Sequence, residues 1–374
     1  MKKTRLAYLD NVRSLVIFLV IVMHTAVTYS GIGSWYYTEG SVEKLPLFEM
    51  VFFGFMQSFL QAWFMGILFF ISAIFAAKAL EKRGPSKFIK ERLFRLGLPL
   101  LLYIFVISPI IIFILLGINP GNSFGENYIL YITDLWWVGS TGPLWFIETL
   151  LIFSAVYTLI KKLFPKKIII RNIGPKDIIF IILITGMISF LIRLVCPIGT
   201  SYQNLQFCYF SSYIAMFIAG ILSGENDLLE EISNGKNIKW LKLSLITGTP
   251  LWVFTMVLGG ALEGKSYYNG GFNWQSLAYA FWESLTAIGF SLGLIALFRK
   301  RVNIENKFTC LLRDNAFGIY FFHAPLLVSV SLLFRSLVFD SLLKFAAVTV
   351  ITFLTCFLFT FLVRKIKPIG VLLK

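Results

Sequence analysis

Charge is scarce in this chain. Of 374 residues only 14% are Asp, Glu, Lys or Arg, while 57% are hydrophobic. A soluble domain carries nearer a quarter charged residues, so a water-soluble globule is excluded. Histidine is scarcer still, with two in the whole chain, and cysteine occurs four times, as Cys196, Cys208, Cys310 and Cys356. No C-x-x-C spacing and no neighbouring histidine accompanies any of them, so no metal site is expected. Cys196 and Cys208 lie at either side of the expected outer turn between the spans 177–195 and 205–223 and could share it. A disulfide between them is one reading, and two small apolar side chains are the plainer one. There is no A-x-A-like cleavage site after the first apolar run, which is therefore expected to be retained. No repeat, low-complexity stretch or composition break marks a second domain, so residues 1–374 read as one transmembrane domain.

What is present is a series of long apolar runs. A bilayer core needs about 20 apolar residues per helix. Ten such spans are read, at 12–30, 47–79, 97–117, 143–160, 177–195, 205–223, 240–262, 274–298, 314–334 and 342–363. The fold class is all-α, a polytopic membrane protein. The second run, Leu45 to Ala79, would reach about 52 Å as a helix, too long for one upright crossing. It reads as a tilted helix with an interfacial lead-in or as two tightly turned helices. Loop charge favours one span. With ten crossings, the outer segments keep only Lys44, Arg193, Lys265, Arg335 and Lys344 of the 34 Lys and Arg, and both termini are expected in the cytoplasm. The same bias accounts for the net charge of +15 without nucleic acid as a partner; membrane lipids are the expected surroundings.

Ionisable residues inside spans are costly and are functional candidates. Here they are Arg13, His24, Glu148, Arg193, Glu283 and His323. His24 follows Arg13 by eleven residues, three helical turns, so both share one face about 16 Å apart along the axis. Asp10 is three residues before Arg13 and can pair with it. His323 enters from the inner side to a depth within a turn of His24, which suggests one cavity for two imidazoles. The plainer reading is a pair of packing histidines, each satisfied by a carbonyl. Glu283 is also near mid-membrane. Paired with His24 or His323, it would orient the ring and raise its basicity; unpaired, it would be a neutral acid. Glu148, five residues after Pro143, could contact a polar acceptor or line a wet vestibule. Arg92 and Arg95, in the most basic inner segment, stand three apart on a short helix and could clamp one phosphate. Positive-inside topology alone would explain the same charges.

These residues sit in segments that resemble the acyltransferase 3 family of membrane proteins. YLDNVRSLVIFLVIVMH (Tyr8–His24) resembles its first helix, with Arg or Lys, ten residues, then His. KERLFRLGLP (Lys90–Pro99) resembles its Arg-x-x-Arg segment. FFISAIF (Phe69–Phe75) resembles its phenylalanine-rich stretch, with Ala73 where glycine is usual. GPLWFI (Gly142–Ile147) and GIYFFHAPLL (Gly318–Leu327) resemble two later segments. WES (Trp282–Ser284) and IRLVCP (Ile192–Pro197) resemble positions in the glucan-succinylating branch and draw in Glu283 and Arg193.

The resemblance implies transfer of an acyl group, acetyl or succinyl, from cytosolic acyl-CoA to a hydroxyl of an extracytoplasmic glycan, in a bacterial cell membrane. It implies that Arg92 and Arg95 hold the CoA phosphates, with Arg13 on the donor's route. His24 is then either a general base toward the acceptor hydroxyl or a nucleophile that carries the acyl group. Glu283 would orient a ring, and His323 would polarise the carbonyl or position the acceptor. Glu148 and Arg193 fall to the acceptor side, where Arg193 could meet the second carboxylate of succinyl. No hydrolase-like domain is seen after the last helix, so the acceptor is expected to meet the membrane domain itself. The competing class is a proton-coupled exporter of a polar or acidic small molecule.

Overall fold

The computed structural model describes residues 6–373, and among these no strand forms beyond one isolated bridge, Tyr202 with Leu205. The helices in chain order are α1 (Ala7–Ser30), α2 (Leu47–Arg83), α3 (Pro85–Leu115), α4 (Phe124–Thr133), α5 (Trp145–Leu163) and α6 (Pro175–Arg193). Then follow α7 (Phe210–Glu225), α8 (Ile238–Leu258), α9 (Trp274–Arg301), α10 (Lys307–Phe334) and α11 (Ser341–Val363). All of these but α4 fall in the ten stretches that are long and apolar enough to cross a membrane. Each matches one expected span. The long second run is a single helix of 37 residues, as the loop charges favoured. The connection 118–142 is not wholly irregular. It carries α4, opened by a capping box in which Ser123 and Glu126 satisfy each other's backbone amides.

No second domain was legible in composition. The contacts nevertheless cluster in two compact units, one of Met1–Arg13, Phe59–Lys90 and Phe153–Glu305, the other of Ser14–Ser58, Glu91–Ile152 and Asn306–Lys374.

The first unit is packed through small residues. Lipid tails are as apolar as leucine, so helices in a bilayer associate by close backbone approach and not by escape from water. On α7, Gly220 and Gly224 form a G-x-x-x-G stripe against α2. A Cβ on Gly220 would strike the Phe70 carbonyl and come within 2.7 Å of the Ala73 methyl. One on Gly224 would lie 2.8 Å from the Ile74 carbonyl and 2.9 Å from the Ala77 methyl. Ala73, the departure from the family's glycine, is thus a packing residue facing a glycine. Cys208 is buried in this unit and Cys196 is half-buried, and both are free thiols; they form no bridge, in favour of the plainer reading.

In the second unit α10 and α11 form an antiparallel hairpin. Gly318 makes room for Thr360, and Phe322 meets Phe359 edge-on at 4.9 Å. Helix α1 joins them through Phe18 and Phe353, 5.1 Å apart. Pro325 sits inside α10, where a missing N–H opens the turn before it.

Beyond α1 the chain folds back as a strap, residues 31–46. Gly31 turns it in the left-handed region, φ +71°. The amides of Glu39 and Gly40 donate to the Thr28 carbonyl at 2.8 and 3.0 Å. Gly40 lies so close that a Cβ there would collide with the Tyr29 carbonyl. Lys344 of α11 pairs with Glu39, and Gln57 of α2 donates to Ser30 Oγ at 2.8 Å.

Candidate active site: two stacked imidazoles

His24 and His323 meet in the second unit. His323 is fully buried on α10 and His24 is half-buried on α1. Their rings stack with centroids 5.1 Å apart and planes 24° off parallel. His323 Nε2 lies 3.2 Å from His24 Nδ1. His323 Nδ1 lies 2.6 Å from the Tyr320 carbonyl, one turn back in the stretch that Pro325 opens.

These contacts set the tautomers. A carbonyl oxygen only accepts, so His323 Nδ1 carries its hydrogen, and Nε2 of the neutral ring carries a lone pair. That lone pair accepts from Nδ1–H of His24. The remaining lone pair of the assembly is then on His24 Nε2. The chain carbonyl–imidazole–imidazole holds the outer ring in one tautomer and can share the positive charge when Nε2 takes a proton, the service a carboxylate performs in a serine-protease triad.

Three further side chains frame the pair. Trp35, on the strap, lies flat on His24, centroids 3.8 Å apart at 21°. Tyr320 stacks near His323 at 5.7 Å, and its hydroxyl donates to the Pro143 carbonyl. That bond ties the GPLWFI segment to the helix of His323. Tyr103 of α3 donates to the Tyr36 hydroxyl at 3.3 Å, and burial raises the Tyr36 phenol above its ordinary value, keeping it a neutral hydroxyl. None of Trp35, Tyr36, Tyr103 and Tyr320 was singled out in the sequence. The available signals were Tyr320 and Pro325 at fixed offsets around His323, and the aromatic run Trp35–Tyr37 after two glycines.

Glu148, in the first turns of α5, is half-buried, and its Oε2 is enclosed with no hydrogen-bond partner. Arg92 and Arg95 both lie in α3, but not on a plain helical turn. Leu93–Gly97 winds as a π-helix, which loosens the three-residue stacking of ordinary helix; Arg95 is exposed and Arg92 half-buried. Such wide turns concentrate at functional sites.

Glu283 requires a correction. It was expected to orient one of the histidines. In the first unit it is instead held by Arg193, both side chains being buried. Arg193 wins because a guanidinium presents a planar fork with permanent charge, which neutralises a buried carboxylate where a neutral imidazole cannot. Tyr279 and Tyr209 lie over the guanidinium at 5.3 and 5.8 Å, while its Nε and Nη1 have no partner. Arg13 pairs with Asp10 at 3.4 Å as expected, on the same continuous helix as His24.

The fold and site define a class: an all-helical, multi-pass membrane protein with a polarised imidazole pair. Within that class the chain belongs to the acyltransferase 3 family, whose acyltransferase domain it matches over residues 6–361. It is thereby placed among membrane acyltransferases. No curated protein and no solved structure matches the chain.

Proposed function

We propose that this protein moves an acyl group from cytosolic acyl-CoA to a hydroxyl of an extracytoplasmic glycan or glycoconjugate, in a bacterial plasma membrane with both chain ends in the cytoplasm. The observation that carries the reading is the 3.2 Å contact between His323 Nε2 and His24 Nδ1, which leaves His24 Nε2 as the base. Nε2 takes the acceptor's hydroxyl proton as that oxygen bonds to the thioester carbon. The C–S bond then breaks, and the CoA thiolate leaves with the proton from Nε2. Ester and free CoA are the products. His323 orients the ring and shares its charge.

Arg92 and Arg95 are the residues we assign to the CoA phosphates, where paired guanidinium forks suit phosphate oxygens. Arg13 adds a cation on the helix of His24. Glu148 is an acceptor-side candidate, because its unpaired oxygen can meet a hydroxyl. Among named relatives, the residue likenesses point to glucans biosynthesis protein C, a succinyltransferase of periplasmic glucans. Arg193 is already neutralised by Glu283, which makes it a poor seat for a second carboxylate and favours acetyl over succinyl.

The test is thiol release from acetyl-CoA and succinyl-CoA in membrane vesicles of the producing cell, which carry the natural acceptor. Wild type should release CoA and esterify surface glycan; His24→Ala should do neither. Full transfer by His24→Ala ends the assignment. Solute movement without any thiol release would make the protein an exporter.

A further inference from the structure

Trp35 is unusual among the aromatics of the second unit. Its indole plane presses on His24 at 3.8 Å and its edge meets Tyr36 at 5.2 Å and 74°. It also packs against the buried cluster of Tyr29, Leu327, Val330 and Val348. The strap that carries it is tied down at Glu39 and Gly40. Thr28, one turn beyond His24, receives two strap amides, and Lys344 grips Glu39. A loop serving only as a connection has no need of an ion pair and two backbone bonds back to the helix it left. Yet the indole Nε1–H is shut away from solvent with no hydrogen-bond partner. A buried indole N–H ordinarily finds an acceptor, and an enclosed donor left unmade costs about 1–3 kcal/mol. The orphan donor therefore belongs to the ring that lies flat on His24, the imidazole whose Nε2 the pair leaves open.

We propose that Trp35 is a second catalytic residue: its plate fixes the plane of His24, and its indole N–H donates to the acyl carbonyl oxygen in the transition state. This rests on the acyl-transfer reading above. When the acceptor oxygen bonds to the thioester carbon, the carbonyl π pair moves onto the carbonyl oxygen. The indole N–H donates a hydrogen bond to that oxyanion and transfers no proton. The pair then returns, the C–S bond breaks, and the thiolate departs with the proton held at His24 Nε2. A donor aimed at developing charge in a water-poor site is worth roughly 100-fold in rate.

Two substitutions separate plate from donor. Trp35→Phe keeps an aromatic face and removes the N–H. Trp35→benzothienylalanine keeps the bicyclic shape and replaces the N–H by sulfur. In membrane vesicles with acetyl-CoA, both should lower kcat roughly 100-fold, leave KM for acetyl-CoA within about two-fold, and leave the pH midpoints of the profile unmoved, because the base is intact. Wild-type kcat in the benzothienyl variant overturns the donor role. A fall accompanied by a displaced pH profile in that variant also overturns it, since the indole would then act on His24 and not on the carbonyl. If wild type itself consumes no thioester, the functional reading falls and this inference with it. If wild type turns over and the variants match it, the inference alone falls.

Discussion

Arg193 and Glu283 neutralise each other where neither touches the outside, 90 residues apart in sequence. Removing one member of such a pair strands a charge, while replacing both removes two desolvation penalties together. Glu283→Leu or Arg193→Met should therefore each destabilise by about 3–5 kcal/mol. The double variant Arg193→Met/Glu283→Leu should recover most of that loss. Thermal unfolding in detergent, followed by tryptophan fluorescence, checks the ordering. A double variant as weak as either single one would show that the pair does more than balance charge.

The imidazole pair predicts unequal losses. His24→Ala removes the proposed base and should lower thiol release by about 10²–10⁴-fold. His323→Ala leaves Nε2 in place but frees the ring's tautomer and should cost less. His323→Gln, which can still accept from His24 Nδ1–H, should lie between His323→Ala and wild type. Equal activity of the alanine and glutamine variants at 323 would speak against the accepting role.

Arg92→Glu and Arg95→Glu should each raise KM for acyl-CoA about 10- to 100-fold, one lost charge-assisted contact being worth about 1.5–3 kcal/mol, with acceptor dependence unchanged. Titrating donor and acceptor separately reads this. Parallel changes in both constants would remove the phosphate clamp.

Gly220→Leu forces a branched side chain against the Phe70 carbonyl and the Ala73 methyl. Overpacking of this kind costs about 1–3 kcal/mol. Expression and melting temperature should both fall, and Gly54→Leu, where a Cβ meets nothing within 4 Å, should leave them unchanged.

The α4 capping box gives a pH dependence outside the spans. Amide bonds from Ser123, then its hydroxyl, hold the Glu126 carboxyl below its ordinary value. A depressed pKa means stabilisation that is fully present above the unfolded value, about 4.3, and lost as pH falls through the lower folded value. Hydrogen exchange at the Ser123 amide should accelerate, relative to intrinsic rates, across that acidic window and stay constant above it. A Glu126→Ala variant, which lacks the carboxylate that accepts from the Ser123 amide, should show the acceleration at every pH.

Most of the architecture could be read from the chain because one force dominates it. Without water in the bilayer core, a span must be long, apolar and helical, and all ten appear where hydropathy places them. The single 37-residue α2 was decided by loop charge. The His24–His323 encounter was legible for a related reason: two rare residues at matched depth have few places to be. What escaped was whatever depends on partners distant in sequence. Glu283 could have chosen an imidazole or Arg193, and only packing of α6 against α9 decides. The π-turn at Leu93–Gly97 leaves no periodicity signal of its own, and the strap's grip on Thr28 is a backbone matter that side-chain identity does not announce. Trp35 looked like one of nine tryptophans until its ring was found against His24.

The hydrogen on His323 Nδ1 is committed to Tyr320 at 2.6 Å, and this has a directional consequence. With that end of the relay closed, a proton taken up by the outer ring has no through-route into α10 and must leave by the edge through which it arrived. On the proposed acyl-transfer reading, nucleophile and leaving group would then have to approach the same rim of one heterocycle, in turn, so that donor and acceptor would be funnelled to a single doorway.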